Sequence, residues 1–305
     1  MKRNTLFLAL FCFLLAACST SKVSLNTPTN NLINQQMTDK KGNPHLIGVS
    51  NVAGLQQAPF GDWYDKNYAD YSPDNEVLSK CKKAAQDVEV VAFMATWCGD
   101  SKREVPRFYK AMEQLKIGEE RIKLVNVYRD SERYKQSPTG EEKGLNIHRV
   151  PTFIFYKNGE EIGRIVESPK TSMDVDIAQI LTGLASSPRY EMVTRLNQEF
   201  TNNEHETIKE KYERWGRFVA RNTTSLSELN TYGYVLATQK KLEEAIIVFT
   251  INTLAYPQEA RAFSNLGEAY QEIGEKELAI KNYEKALELN PEYESAQKAL
   301  AELTS

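Results

Sequence analysis

The segment that decides the fold reads Phe93-Met-Ala-Thr-Trp-Cys-Gly-Asp-Ser-Lys-Arg-Glu-Val-Pro-Arg-Phe108. An apolar run from Val88 to Ala95 ends at the Trp97-Cys98 pair, and a charged, helix-like stretch follows. This order predicts a buried strand that leads directly into a helix, with one thiol at the junction. A cysteine there meets unpaired backbone N–H groups and the positive end of the helix dipole, and both favour thiolate over thiol.

The segment resembles the active site of thioredoxins, in which Trp-Cys-x-x-Cys opens the second helix. Val150-Pro151-Thr152 follows about 50 residues later, in the order that thioredoxins use. The resemblance implies that Pro151 is a cis-proline lying against the sulfur of Cys98. It also implies an α/β thioredoxin-like fold for residues 45–185, with a central mixed sheet flanked by helices.

The pattern along this region alternates between strands and helices in the family order β-α-β-α-β-β-α. An aromatic-rich loop is expected over 60–71, and Asn158-Gly159 predicts a hairpin turn. The expected strands are 45–52, 88–95, 122–128, 153–156 and 161–166. The expected helices are 74–86, 100–115 and 173–184.

Two departures from the family pattern limit the chemistry. Ser101 stands where the resolving cysteine belongs, so a mixed disulfide cannot be released by a second thiol. Ala92 stands where thioredoxins carry a buried acid. The candidate site is Cys98 as nucleophile with Trp97, Ser101 and Pro151, and a buried, inert Cys98 is the alternative.

Other side chains suggest no further chemistry. Cys81, on the predicted helix before the central strand, is interpreted as a structural thiol. The three histidines, His45, His148 and His205, are scattered without metal-ligand spacing, so neither a metal nor a cofactor is predicted.

The first residues predict export. Lys2 and Arg3 precede an apolar core, and Leu15-Ala-Ala-Cys18 follows it. This resembles the bacterial lipoprotein signal, which implies that residues 1–17 are removed and that Cys18 is lipidated. Residues 18–44 are interpreted as a flexible tether. The absence of an aspartate after Cys18 resembles outer-membrane sorting, which implies a lipid-anchored protein in the cell envelope that faces the periplasm.

A 34-residue period appears near the C-terminus. Small, aromatic and proline positions of 226–259 recur in 260–293, as Gly233/Gly267, Ala245/Ala279, Phe249/Tyr283 and Pro257/Pro291. The period resembles tetratricopeptide (TPR) repeats, which form an all-α helical-repeat domain. Residues 186–225 are expected to form a divergent helix pair, and a C-terminal helix to cap the array up to residue 305.

Two functions follow from these patterns. The first is an envelope-anchored thioredoxin-like protein, of reductase or isomerase type, that forms mixed disulfides with exported proteins through Cys98 and binds partners in its TPR groove. The alternative is a non-enzymatic TPR scaffold with a redox-degenerate thioredoxin domain. The net charge of −3 gives no support for nucleic-acid binding.

Overall fold

The computed structural model describes residues 33–185, 187–202 and 205–305. Within these ranges one sheet has six strands in the order β1-β2-β4-β3-β5-β6. β3 and β4 run parallel, and each of the other neighbouring pairs is antiparallel. The strands are β1 (Gln35–Thr38), β2 (Pro44–Ser50), β3 (Val88–Met94), β4 (Ile122–Asn126), β5 (Thr152–Lys157) and β6 (Glu160–Val166).

Alternate side chains of the central strands pack on opposite faces of the sheet, as the pleat requires. On one face Ala92 and Phe153 lie in a core with Phe108, whose ring stacks on that of Phe153 at a centroid distance of 4.3 Å. On the other face Phe93 and Ile154 form a second apolar cluster that borders Trp97 and Cys98. Both faces are buried, which explains the continuous apolar run in β3.

Five helices belong to the N-terminal half of the described chain. They are α1 (Val52–Leu55), α2 (Gly61–Ala69), α3 (Asn75–Ser79), α4 (Gly99–Gln114) and α5 (Met173–Leu181). This mixed sheet with flanking helices confirms the predicted thioredoxin-like architecture.

Three local expectations were wrong. The aromatic-rich segment 60–71 is helix α2, because Tyr64 and Phe60 turn inward and pack in the core. The helix expected over 74–86 ends at Ser79 and continues as turns. The tether expected to reach residue 44 is shorter, because β1 pairs with β2 at the sheet edge.

Eight helices lie in the described residues from 187 onward, and they confirm the predicted helical-repeat region. Gly233 and Gly267 sit where α9 and α11 pack against the aromatic rings of Phe249 and Tyr283. The helices are α6 (Glu191–Asn202), α7 (His205–Lys209), α8 (Tyr212–Asn222), α9 (Ser227–Thr238), α10 (Leu242–Ala255), α11 (Ala260–Glu272), α12 (Lys276–Leu289) and α13 (Glu294–Thr304).

The expectations for residues 1–32, including the signal segment and lipidation of Cys18, lie outside the described residues. Among the described helices, none is long and apolar enough to cross a membrane.

Candidate thiol site

Cys98 is the N-cap residue of α4, as the strand-to-helix pattern predicted. Its side chain is half-buried, and its thiol donates a hydrogen bond to the carbonyl oxygen of Val150 at 3.3 Å. The Val150–Pro151 peptide bond is cis. The tertiary structure therefore brings Cys98 and Pro151 together although 53 positions separate them.

Ser101 lies one turn into α4 and is fully buried. Its hydroxyl oxygen accepts a hydrogen bond from the backbone N–H of Ala95 at 3.2 Å, and among the described residues it makes no hydrogen bond with Cys98. Ala92 is also buried, in the core on the α4 side of the sheet. The hydroxyl at position 101 thus ties the end of β3 to α4.

Trp97 forms a wall beside the thiol. Its indole N–H donates to the carbonyl oxygen of Val127 at 3.3 Å. Its ring stacks on Tyr134 at a centroid distance of 6.4 Å, and the guanidinium of Arg129 lies 5.9 Å from its centroid. Since Arg129 and Tyr134 both follow β4, that connecting segment covers the indole.

Arg103, in the first turn of α4, is ion-paired with two carboxylates. Arg103 pairs with Asp100 at 2.8 Å and with the buried carboxylate of Glu104 at 2.6 Å. These two carboxylates compensate the charge of Arg103 locally. Cys81 is a free, buried thiol that donates to the carbonyl oxygen of Leu78, and burial raises its pKa.

A buried lysine lies in the segment that follows β4, and sequence reasoning missed it. Lys135 is only 3 % exposed, and its ammonium donates to the carbonyl oxygen of His148. Burial lowers the pKa of Lys135 to about 7; Arg149 lowers it as well, while the charges of Cys98 and Glu167 oppose this.

His148 sits between the two domains. Its ring contacts Tyr190 and Tyr232 edge-on, and its Nδ1–H donates to the carbonyl oxygen of Asn146 at 3.2 Å. Its Nε2 is buried without a partner among the described residues. Burial lowers the pKa of His148 to about 3, with the nearby charge of Lys135 among the further causes.

Lys135 escaped detection because 130–144 reads as a polar, irregular stretch, and His148 was noted in the sequence without a role. The sequence did hold one indication. Because β3 and β4 run parallel, the segment after β4 begins at the same edge of the sheet as Cys98, which follows β3. An aromatic residue followed by a lysine, Tyr134-Lys135, stands out within it.

A cleft of about 630 Å³ lies between this segment and the helical repeats. Arg129 and Tyr134 line one wall, and Tyr234, Asn265 and Glu268 line the other. The hydroxyl of Tyr234 donates a hydrogen bond to the side-chain oxygen of Asn265 at 2.8 Å, and this bond fixes the orientation of both side chains. Trp97 does not line the cleft, but its ring contacts Tyr134 and Arg129, which do.

Among the described residues no group of histidine, cysteine, aspartate and glutamate side chains could hold a metal ion. The site consists of one thiol, the ring of Trp97 and the carbonyl edge of Val150–Pro151.

The fold and the site together define a thioredoxin-fold domain joined to TPR helices. The thioredoxin family model matches residues 73–179, and the tetratricopeptide repeat model matches 260–293. A thioredoxin of Malassezia sympodialis is 34% identical over 92 residues, which are 30% of this chain and 80% of that protein. The chain belongs to the thioredoxin family.

Two proteins of Arabidopsis thaliana are also similar to part of this chain. Thioredoxin H9 of Arabidopsis thaliana is 28% identical over 112 residues, covering 36% of this chain and 73% of that protein. The TPR repeat-containing thioredoxin TDX of the same plant is 29% identical over 104 residues, covering 34% of this chain and 25% of that protein. The match thus spans a quarter of this relative's length.

Proposed function

We propose that the protein exchanges disulfides with client proteins through Cys98 alone, and that its TPR region holds the client. The observation that carries this proposal is the position of the Cys98 sulfur, half-exposed at the N-terminus of α4 and 3.3 Å from the Val150 carbonyl oxygen. Cys81, the other free thiol among the described residues, is buried.

The reaction stops at the mixed disulfide unless another thiol arrives. Attack by Cys98 joins its sulfur to one client sulfur and releases the other as a thiol. Ser101 cannot displace the client, so release requires an external thiol or a second thiol of the client. The protein then acts as a reductase or isomerase depending on which thiol arrives.

The cleft between the segment 129–134 and the repeat helices supports the partner-binding half of the proposal. Its two walls come from the thioredoxin domain and from the repeat helices. A client segment bound between Tyr134 and Tyr234 contacts a ring that stacks on Trp97, the neighbour of Cys98. Binding there raises the local concentration of the client disulfide near Cys98.

The proposed location is the cell envelope. The basic start, apolar core and Leu15-Ala-Ala-Cys18 motif support export and lipidation of Cys18. The proposal includes an anchor in the outer membrane with the domains in the periplasm, where client disulfides form.

A non-enzymatic scaffold is the second candidate. One observation favours it. The hydroxyl of Ser101 accepts a hydrogen bond from the backbone N–H of Ala95, at the position where redox-active thioredoxins carry the second cysteine. In that case the TPR cleft alone binds the partner and Cys98 has no role.

Insulin, which contains protein disulfides, tests the two candidates. The wild-type protein, Cys98→Ser and Cys81→Ser are incubated with insulin without reductant and separated on non-reducing gels. We expect an insulin adduct with wild type and Cys81→Ser, none with Cys98→Ser, and its disappearance after dithiothreitol. If the wild-type protein forms no adduct, disulfide exchange is excluded and the scaffold function is preferred.

A further inference from the structure

A second cavity, of about 570 Å³, lies between α1, α2, the last two turns of α4 and the segment 116–120. Its volume is typical of small-molecule sites, which measure about 300–1,000 Å³. Cys98 caps the first turn of α4, and a helix of this length spans about 24 Å. The cavity is therefore at the end of α4 opposite to the thiol, and the proposed disulfide exchange does not use it.

Two tyrosines form the floor of this cavity. Tyr64 is 2 % exposed and Tyr109 is 7 % exposed, so both side chains are more than nine-tenths buried. Neither hydroxyl makes a hydrogen bond to a described residue, and neither is among the polar atoms that are shut off from solvent. A buried hydroxyl without a partner is unfavourable unless water or a ligand binds it. Both hydroxyls are thus available to a ligand in the cavity.

Two carboxylates at the rim have no cationic partner. Glu113 accepts a hydrogen bond from the hydroxyl of Tyr68, and Glu119 accepts one from the backbone N–H of Val52 at 3.2 Å. Both bonds use Oε2, and in the described part of the chain neither glutamate forms an ion pair. Three glutamates and one lysine line the cavity, and the C-terminal end of α4 adds partial negative charge. Negative charge therefore predominates at the rim.

The ring faces at this site are already covered. The ring of Tyr64 stacks on that of Tyr68 at a centroid distance of 6.1 Å, and the ammonium of Lys110 lies 5.0 Å from the centroid of Tyr68. Burial raises the pKa of the Tyr64 and Tyr109 hydroxyls, and the nearby charge of Glu119 is among the further causes. A ligand in the cavity therefore meets neutral hydroxyls with negative charge beside them.

We propose that this cavity binds an organic cation, a protonated primary amine carried on an apolar chain. The ammonium group has three N–H donors and no acceptor, so it suits the hydroxyl oxygens of Tyr64 and Tyr109. Glu113 and Glu119 supply the opposite charge, and the buried side chain of Ile117 lies beside the apolar chain. An anion is disfavoured because it would meet two carboxylates that no cation neutralises.

Isothermal titration calorimetry of the full chain with hexylamine tests this proposal. The neutral probe is 1-hexanol, which has the same chain length and also carries a hydrogen-bond donor. We expect hexylamine to bind at least about fivefold more tightly than hexanol, because a charged donor forms the stronger hydrogen bond. Its affinity should fall as the salt concentration is raised. Equal affinities of the two probes would overturn the proposal.

A tyrosine variant locates the bound amine. Tyr109→Phe keeps the ring and removes one acceptor, so the affinity for hexylamine should fall at least about threefold. Tyr156→Phe is the matched control, because its hydroxyl also lacks a partner in the described structure but lies outside the cavity. This control should bind hexylamine as the wild type does. Wild-type affinity in Tyr109→Phe would mean that the amine binds elsewhere, and the proposal fails.

A second variant tests the charge of the rim. Glu113→Gln combined with Glu119→Gln keeps an oxygen for each existing hydrogen bond and removes both charges. Its affinity for hexylamine should be at least about fivefold lower than that of wild type. Glu76→Gln, on α3 outside the cavity, removes an equal charge per residue and should have no effect. Equal affinities in the double variant and wild type contradict the proposal.

A free amine and the lysine side chain of another protein offer the same chemistry, and a peptide separates the two sources. Tighter binding of acetyl-Gly-Lys-Gly-amide than of hexylamine assigns the cavity to a lysine of a partner protein, whereas weaker binding assigns it to a free amine. If neither ligand binds, the proposal is wrong. Cys98→Ser should bind hexylamine normally, and no disulfide takes part. The result is therefore independent of the insulin experiment.

Discussion

The guanidinium of Arg149 donates a hydrogen bond to the backbone carbonyl oxygen of Ser227 at 2.9 Å, and this contact joins the thioredoxin domain to the first turn of α9. Arg149 also pairs with Glu167 at 3.3 Å and lies 4.6 Å from the ring centroid of Tyr190. The carbonyl oxygen of the next residue, Val150, accepts the hydrogen bond from the thiol of Cys98. The repeat helices therefore support the segment against which the thiol rests.

Replacement of Arg149 should weaken the contact between the domains. Arg149→Met removes the hydrogen bond to Ser227 and leaves Glu167 without its guanidinium partner, which should lower the free energy of unfolding by about 1–3 kcal/mol. Urea denaturation followed by tryptophan fluorescence measures this loss. Arg195→Met, which removes a half-exposed ion pair with Glu191 inside α6, should cost less than about 1 kcal/mol. Equal losses in the two variants contradict the prediction.

Acid should destabilise the protein through His148. In the folded protein its pKa is about 3, below the ordinary value of 6.5, so the unfolded chain binds a proton that the folded chain does not. The stabilising contribution is complete above about pH 6.5 and is lost as the pH falls towards 3, with a slope of up to about 1.4 kcal/mol per pH unit.

The corresponding variant is His148→Phe, which keeps a ring between Tyr190 and Tyr232 but cannot titrate. We expect its urea midpoint to change less between pH 6.5 and pH 4 than that of wild type. Tyr232→Phe is the control, because it changes the same ring contact while a tyrosine does not titrate between pH 4 and pH 6.5, so it should retain the wild-type pH dependence. A wild-type acid slope in His148→Phe shows that another group is responsible.

Substitution of Ser101 should restore release of the client. In Ser101→Cys a second thiol can attack the mixed disulfide, so insulin reduction with dithiothreitol should increase by at least about tenfold. The gain should be incomplete because Ala92 supplies no acid, and Ala92→Asp added to Ser101→Cys should increase it further. Ser101→Ala is the matched control. The prediction fails if Ser101→Ala gains as much as Ser101→Cys.

The glycine positions of the repeats should not tolerate a methyl group. A Cβ at Gly233 would lie 2.5 Å from the ring of Phe249, so Gly233→Ala should lower the free energy of unfolding by about 1–3 kcal/mol. Phe249→Leu makes space at the same contact. The double variant should therefore lose less stability than the sum of the two single variants, as measured by thermal unfolding. Additive losses would mean that the clash does not control this position.

Several elements were predictable because their signals are local. The Asn158-Gly159 turn lies between β5 and β6 as expected, since asparagine and glycine accept the positive φ that this turn requires. The segment 60–71 was mistaken for a loop. Its aromatic residues gave a weak helical pattern, and packing of Tyr64 into the core favours the helix.

The sequence by itself determined the strand-to-helix junction at Cys98, the proline that faces it and the period of the repeats, because each depends on neighbouring residues or a fixed spacing. Only the tertiary structure decided that Lys135 is buried against the carbonyl oxygen of His148 and that His148 and Arg149 join the domains. Their burial results from surfaces far apart in the chain, and a lysine or histidine in a polar stretch carries no local sign of it. The hydration that such groups lose on burial depends on the whole packed structure.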